Sequence, residues 1–308
     1  MSVVVEPAVS VVIATRGRAE LLRRAVRSIA AQEYAGGVEI VIVYDQCDID
    51  PLDDVRPVLG SVTLRTMAND RTPGLAGGRN TGIAAATGEL LAFCDDDDEW
   101  LPVMLREQVA LWAQVPDAVG VSAGIEIVTQ SESIVRIPPA VSTRKDFLAS
   151  RIGEIHPSSF LFRRSDLLDL PVGVDEAIPH SYGEDYDLLL QLTERGDIVS
   201  VPHPLVIVHW DRTSYFAGRW APMAEGLGFL LEKHKDLLLD DSNAARMCGQ
   251  VAFAYAAAGS KASAKHWVRR ARRHRASEPR VALTWIALSG IVSPERIVTA
   301  LNNRGRGI

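Results

Sequence analysis

The chain has 308 residues, 47% of them hydrophobic and 23% charged, enough to bury one enzyme-sized core with an appended helical region. A formal charge of −6, with no face where basic and aromatic residues interleave, gives no general attraction for nucleic acid. Cys47, Cys94 and Cys248 are too few and too scattered for a disulfide framework or a thiolate metal site, which fits small buried side chains in a reducing cytoplasm. Residues 1–7 carry Glu6 and no basic-then-apolar leader pattern. The longest apolar stretch, residues 281–292, falls short of the roughly 20 residues that a membrane span needs, so the chain is expected to be soluble.

In chain order, short β-branched runs alternate with helical patterns, which predicts an α/β fold with a largely parallel sheet flanked by helices. Residues 9–14 read as the first strand, Leu21, Leu22, Ala25, Val26 and Ile29 mark an amphipathic helix, and residues 38–44 read as a strand buried on both faces. Strands follow at 62–67 and 90–94, then a helix with Pro102 as its first residue and Leu105, Val109 and Trp112 inward. Strands are expected at 119–128 and 159–163, a loop around Pro138 and Pro139, a helix over 185–195 stopped by Gly196, and a short strand at 206–209 after Pro204. Beyond about Pro222 the pattern is helical to the end. The division expected is 1–221, with nucleotide-sugar binding in 1–115 and acceptor and catalytic groups in 116–221, followed by a helical region over 222–308.

In an open parallel sheet, ligands bind beyond the carboxyl ends of the strands. Here those ends carry Thr15 and Arg16, then Asp45, then the run Asp95, Asp96, Asp97 and Asp98. Four successive carboxylates repel one another, and a hard divalent cation that leaves most of its coordination sites to water and phosphate oxygens suits them. A solvated acidic turn before the next helix is the alternative. The Gly-rich segment 73–88 holds Gly74, Gly77, Gly78, Arg79, Asn80 and Gly82; backbone can approach a ligand there, and Arg79 can reach phosphate or base. It lacks the Gly-Lys-Ser/Thr ending of a P-loop and a clean dinucleotide fingerprint.

SVVIATRGR at 10–18, Asp45, the string GLAGGRNTGIAAATGELLAFCDDDDEWLP and the later GEDYDLLLQL together resemble the signatures of family 2 glycosyltransferases with the GT-A fold, over residues 9–214. The resemblance implies a nucleotide-sugar donor with Thr15, Arg16 and Asp45 at the base and ribose and Arg79 near the base or phosphates. It implies Mn²⁺ or Mg²⁺ at an Asp-x-Asp motif matched by Asp95 and Asp97, the second mainly on the metal and the first nearer the ribose, with Asp96 and Asp98 as the other register. His209 stands where related transferases often hold metal or diphosphate; a structural His packed near Trp210 is the alternative. Tyr44 and Cys47 depart from the Asp and Ser that the family often has there. A carboxylate at Asp45 can accept the N3–H of uracil or thymine, which cytosine lacks, so UDP- and dTDP-sugars fit better than CDP-sugars; a helix or turn cap is the other reading of Asp45.

Asp185 precedes Leu188, Leu189 and Leu192 by three, four and seven residues, on their inward stripe and in the first helical turn, whereas Asp187 aligns with Gln191 and Glu194 and is expected to face solvent. Glu184 and Asp185 resemble the family's Glu-Asp motif, whose Asp deprotonates the acceptor hydroxyl as the sugar inverts; a helix cap is the plainer role. His156 with Ser158 and Ser159 could line an acceptor pocket. Residues 261–275 could lie on an anionic membrane with Trp267 inserted, or form a solvated helix face. Glycan, lipid-linked, protein and natural-product acceptors all remain open, as does an oligomer. The rival enzyme, a sugar-1-phosphate nucleotidyltransferase, calls for a Lys after the first strand, where the chain has Arg; a non-catalytic nucleotide-sugar binding module is the rival of another class.

Overall fold

The computed structural model describes residues 6–56, 60–210 and 218–302. They fall into two compact units, one drawn from 1–147, 151–176 and 184–212, the other from 148–150, 177–183 and 213–308.

The first unit opens with β1 (Val9–Thr15), α1 (Ala19–Ala30), β2 (Val38–Tyr44) and β3 (Thr63–Ala68). These are followed by α2 (Leu75–Ala85), β4 (Leu90–Phe93), β5 (Glu99–Trp100), α3 (Met104–Gln114), β6 (Gly120–Val128), β7 (Ser133–Arg136) and β8 (Val141–Ser142). After α4 (Arg144–Ala149) come β9 (Leu161–Arg163), α5 (Arg164–Leu168), α6 (Glu184–Leu192) and β10 (Ile198–His209). The strands form one sheet in the order β3-β2-β1-β4-β9-β6-β10-β5, with β7 on β6 and β8 on β10. The β3-β2-β1-β4 half is parallel, and β6 is parallel to β10, whereas β9 runs antiparallel to both neighbours; the sheet is therefore mixed and mainly parallel, as the alternating pattern predicts.

Every residue of β2 is buried, because helices cover both faces of a parallel sheet. On one side α1 sinks Leu22, Ala25, Val26 and Ile29 into the core. Against β1 lies α2, and a Cβ at Gly82 would stand 2.3 Å from Val12 Cγ1, so glycine is what allows that approach.

Several boundaries differ from expectation. The third helix begins at Met104, because Pro102 belongs to the turn closed by Met104 N–H on Leu101 O. The strand expected at 206–209 runs over twelve residues, Ile198–His209, straight through Pro202 and Pro204. Its register with β6 shifts between Val201 and Pro204 and again before Val206, an irregularity that accommodates the prolines within the pairing. Asp187 does not face solvent. It is fully buried and accepts from Gln191 Nε2 at 2.7 Å, and Gln191 in turn donates to Gly173 O, so the helix's polar side is covered by protein.

Glu39 on β2 is the main charge inside this layer. Oε2 accepts from Ser10 Oγ at 2.6 Å, Thr87 N at 2.9 Å and Thr87 Oγ1 at 3.0 Å, and Oε1 from Arg65 Nη1 at 3.1 Å. Burial opposes ionisation, but these donors outweigh it and hold the carboxyl below its usual 4.5. A group lowered on folding stabilises above its unfolded pKa and loses that contribution as pH falls through the folded value. Glu39→Gln is therefore expected to cost about 1–3 kcal/mol at neutral pH, with the gap to wild type narrowing below pH of about 4. Urea melts of both proteins across that range measure it.

The second unit is helical: α7 (Trp220–Lys233), α8 (Asp241–Ala257), α9 (Lys261–His274), α10 (Pro279–Ser289) and α11 (Pro294–Asn302). Helices α7, α9 and α10 pack on α8. Ala264, Trp267, Val268 and Ala271 are the buried stripe of α9, so Trp267 does not point outward for a membrane. It is 7% exposed, with Gly228 at its ring edge and Arg270 over its face. No helix among the described residues is long and apolar enough to cross a membrane.

Candidate active site

Strands β1, β2 and β4 end side by side, so Thr15, Asp45 and residues 95–98 share one sheet edge. Asp45 N–H donates to Thr15 O, which extends the pairing one residue past β2. Its carboxylate, 6% exposed, accepts from Asn69 Nδ2 and Gln46 Nε2, both at 2.9 Å. Burial would raise this carboxyl, but the two amides, Gly74 N–H and Arg16 hold it below the carboxylate range. Gln46 adopts φ 54°, a conformation that non-glycine residues rarely take, where the chain turns away from the strand. Arg16 is exposed at this edge.

The acidic run is splayed over three sets of partners, with Asp96 and Asp97 sharing Arg18. Arg79 Nη2 donates to Asp95 at 2.9 Å. Asp96 accepts from Thr15 Oγ1 at 2.6 Å and Arg18 Nη1 at 2.9 Å, and Asp97 from the same Arg18 nitrogen at 2.7 Å. Ser158 Oγ donates to Asp98 at 2.5 Å. Burial pushes Asp96 up to about 6 despite Thr15 and Arg18, and burial with the neighbouring carboxylates lifts Asp98 well above its usual value. Arg18 was not among the residues expected at the site, although it stands only three positions after Thr15.

Ligand atoms of Asp95, Asp98 and His156 all lie within 4.8 Å of one another. His156 precedes the turn Pro157–Ser159, whose carbonyls accept from Trp100 Nε1 and Gln108 Nε2, each at 2.7 Å, while Ser159 Oγ meets Ser122 Oγ at 2.6 Å. Groups from β5, α3 and β6 thus fix the turn that follows His156, and burial of the imidazole favours the neutral ring. Two carboxylates and an imidazole form a donor set that fits Mn²⁺ or Mg²⁺ with sites left for other oxygens. This is not the trio expected from the sequence: of Asp95, Asp97 and His209, only Asp95 takes part. Asp97 is turned to Arg18, and His209 Nε2 lies 2.7 Å from Glu99, which also pairs with Arg24. Residues 211–217, which follow Trp210, lie outside the described residues.

Arg79, expected at the base or phosphates, is 2% exposed and instead bridges Asp95 to Glu184, with its guanidinium over the Phe93 ring. Glu184 and Asp185 open α6 and are both buried. Burial pushes Glu184 up even against Arg79, with Asp185 adding to the rise. For Asp185, Arg151 and Arg79 together with the Tyr186 N–H outweigh burial and hold the carboxyl below the usual range. Arg151 Nη2 donates to Asp185 Oδ2 at 2.5 Å from a side chain about half exposed. Two adjacent carboxylates are thereby separated in proton affinity, Glu184 raised and Asp185 lowered.

The Glycosyl transferase family 2 profile matches residues 10–170. The succinoglycan biosynthesis protein ExoO of Rhizobium meliloti is 31% identical over 200 residues, 59% of this chain and 55% of its own. The chain spans about half the length of several of the curated relatives it matches. Among solved structures, residues 1–349 of TarS from S. aureus in complex with UDP-GlcNAc superpose with a TM-score of 0.61 at 15% identity, covering 97% of this chain and 92% of that one. The mannosyltransferase PcManGT of Pyrobaculum calidifontis with GDP-Man and Mn²⁺ gives 0.57 at 18% identity, over 96% and 84%. The sheet order, the strand-end site and the profile match agree: the chain belongs to the glycosyl transferase family 2.

Proposed function

We propose that this protein is an inverting glycosyltransferase that moves a sugar from a UDP- or dTDP-sugar to an acceptor hydroxyl with the help of a divalent cation. The observation that carries the proposal is the junction of two sets of groups: a cation-ready trio (Asp95, Asp98, His156) whose Asp95 is joined through buried Arg79 to a protonatable carboxylate, Glu184, which stands beside an ionised one, Asp185. Bound Mn²⁺ or Mg²⁺ would supply charge neutralisation for the departing diphosphate.

The chain's own residues divide the remaining work. Asp45 offers an ionised acceptor for the imide N3–H of uracil or thymine, with Thr15 and Arg16 beside it at the strand ends. Arg18 straps Asp96 and Asp97, fixing the loop on which Asp95 and Asp98 stand. Asp185 takes the proton of the acceptor hydroxyl as that oxygen attacks the anomeric carbon from the face opposite the diphosphate, and so the configuration inverts. Arg151, half exposed on Asp185, gives way to the acceptor.

A panel of UDP-, dTDP-, GDP- and CDP-sugars, assayed for release of nucleotide and read by NMR of the product anomer, tests this. Turnover is expected with a UDP- or dTDP-sugar and with inverted configuration; retained configuration, or turnover confined to CDP-sugars, would overturn it.

A further inference from the structure

Charge is strongly segregated along this chain. Residues 261–308 hold eleven Lys and Arg against two Glu, a net +9, while the other 260 residues hold 22 against 37, a net −15. In α9, Lys261, Lys265, Arg269 and Arg272 recur at spacings of four, four and three, all exposed, so they share one face; Arg273 is exposed beside them. None of these five side chains makes an ion pair or hydrogen bond among the described residues, unlike Arg270, which is held by Glu232.

The neighbouring helix adds an apolar element. On α10, Val281 and Thr284 are buried, yet Ala282, Trp285, Ile286 and Ser289 recur at i, i+3, i+4 and i+7 on a second face that is exposed. Trp285 is 45% exposed, Ile286 41%, and Ile291, just past the helix, 85%. Both helices pack on α8 and touch each other. A large aromatic and two Ile left in water beside unpaired Lys and Arg match the interfacial region of a bilayer, which takes indole rings and aliphatic groups at headgroup depth and attracts cations when its lipids are anionic.

We propose that α9 and α10 seat the protein on an anionic lipid bilayer, with Trp285, Ile286 and Ile291 inserted and the basic face of α9 on the headgroups. The acidic remainder of the chain is repelled by the same surface, so contact is confined to this segment. None of these residues belongs to the carboxylate cluster, so the contact does not depend on the donor reading.

Flotation of the full chain with vesicles of phosphatidylcholine alone, and of phosphatidylcholine mixed with phosphatidylglycerol, tests it. Binding is expected only to the mixed vesicles and is expected to fall when salt is raised to about 0.5 M, where charges are screened within roughly 4 Å. Arg272→Glu with Arg273→Glu is expected to weaken partitioning by at least about tenfold. Trp285→Ser is expected to weaken it too, and Trp285→Phe to restore most of it. All variants should keep the wild-type circular dichroism spectrum and the release of nucleotide from soluble donor. Equal binding to neutral vesicles, no binding to either kind, or a loss of self-association on Trp285→Ser without any vesicle binding would overturn the proposal, the last by assigning the stripe to a second copy of the chain.

Discussion

Replacing Asp185 by Asn is expected to lower kcat by about 10²–10⁴-fold, the range for loss of a general base, while the Kd for the nucleotide-sugar changes little. The substitution is isosteric and leaves Glu184 and Arg79 paired. It removes the one carboxylate in the buried pair that its surroundings hold ionised, and an amide cannot accept the acceptor's proton. Nucleotide-release kinetics beside direct donor binding separate the two quantities. A group that only caps α6 would change the melting temperature instead, and a binding module would have no turnover to lose.

The second large effect has opposite signs in stability and in activity. Asp98 is buried among three like charges, so Asp98→Asn relieves a desolvated carboxylate and keeps an oxygen that can accept from Ser158. In chelator, its melting temperature is expected to equal or exceed that of the wild type. With Mn²⁺ present, loss of a ligand is expected to weaken UDP binding by about 10²-fold and turnover by at least as much, the several kcal/mol that such a cation contributes. Thermal melts with and without Mn²⁺, alongside titration of UDP, read both signs. If Asp98→Asn melted well below wild type in chelator and still bound UDP normally with Mn²⁺, Asp98 would be a structural group.

Much of the sheet was legible because β1, β2 and β4 are apolar runs bounded by polar strand ends, and a parallel sheet buries such runs on both faces. The positions of Thr15, Asp45 and the acidic run followed from the same rule, since those residues come directly after their strands. What the sequence hid was set by contacts distant along the chain. His156 joins Asp95 and Asp98 only because Trp100, Gln108 and Ser122, from three separate elements, hold the turn after it. Helical periodicity assigned Asp187 to water, but no local pattern announces that Gly173 meets Gln191 on that side of α6. The Pro202 and Pro204 pair reads as a strand breaker, and only the register shift opposite β6 shows how β10 passes through it. The depth of Arg79 was hidden as well: its buried guanidinium is committed to Asp95 and to Glu184, a residue 105 positions further along the chain.

The measurement that bears most directly on a cation-assisted nucleotide-sugar site is calorimetric titration of UDP and dTDP into the wild-type chain in chelator and then with Mn²⁺ or Mg²⁺. Uptake of at least one of the two nucleotides that tightens by about tenfold or more with the cation is the expected result. Identical heats with and without either cation, or no uptake of either nucleotide, would contradict it.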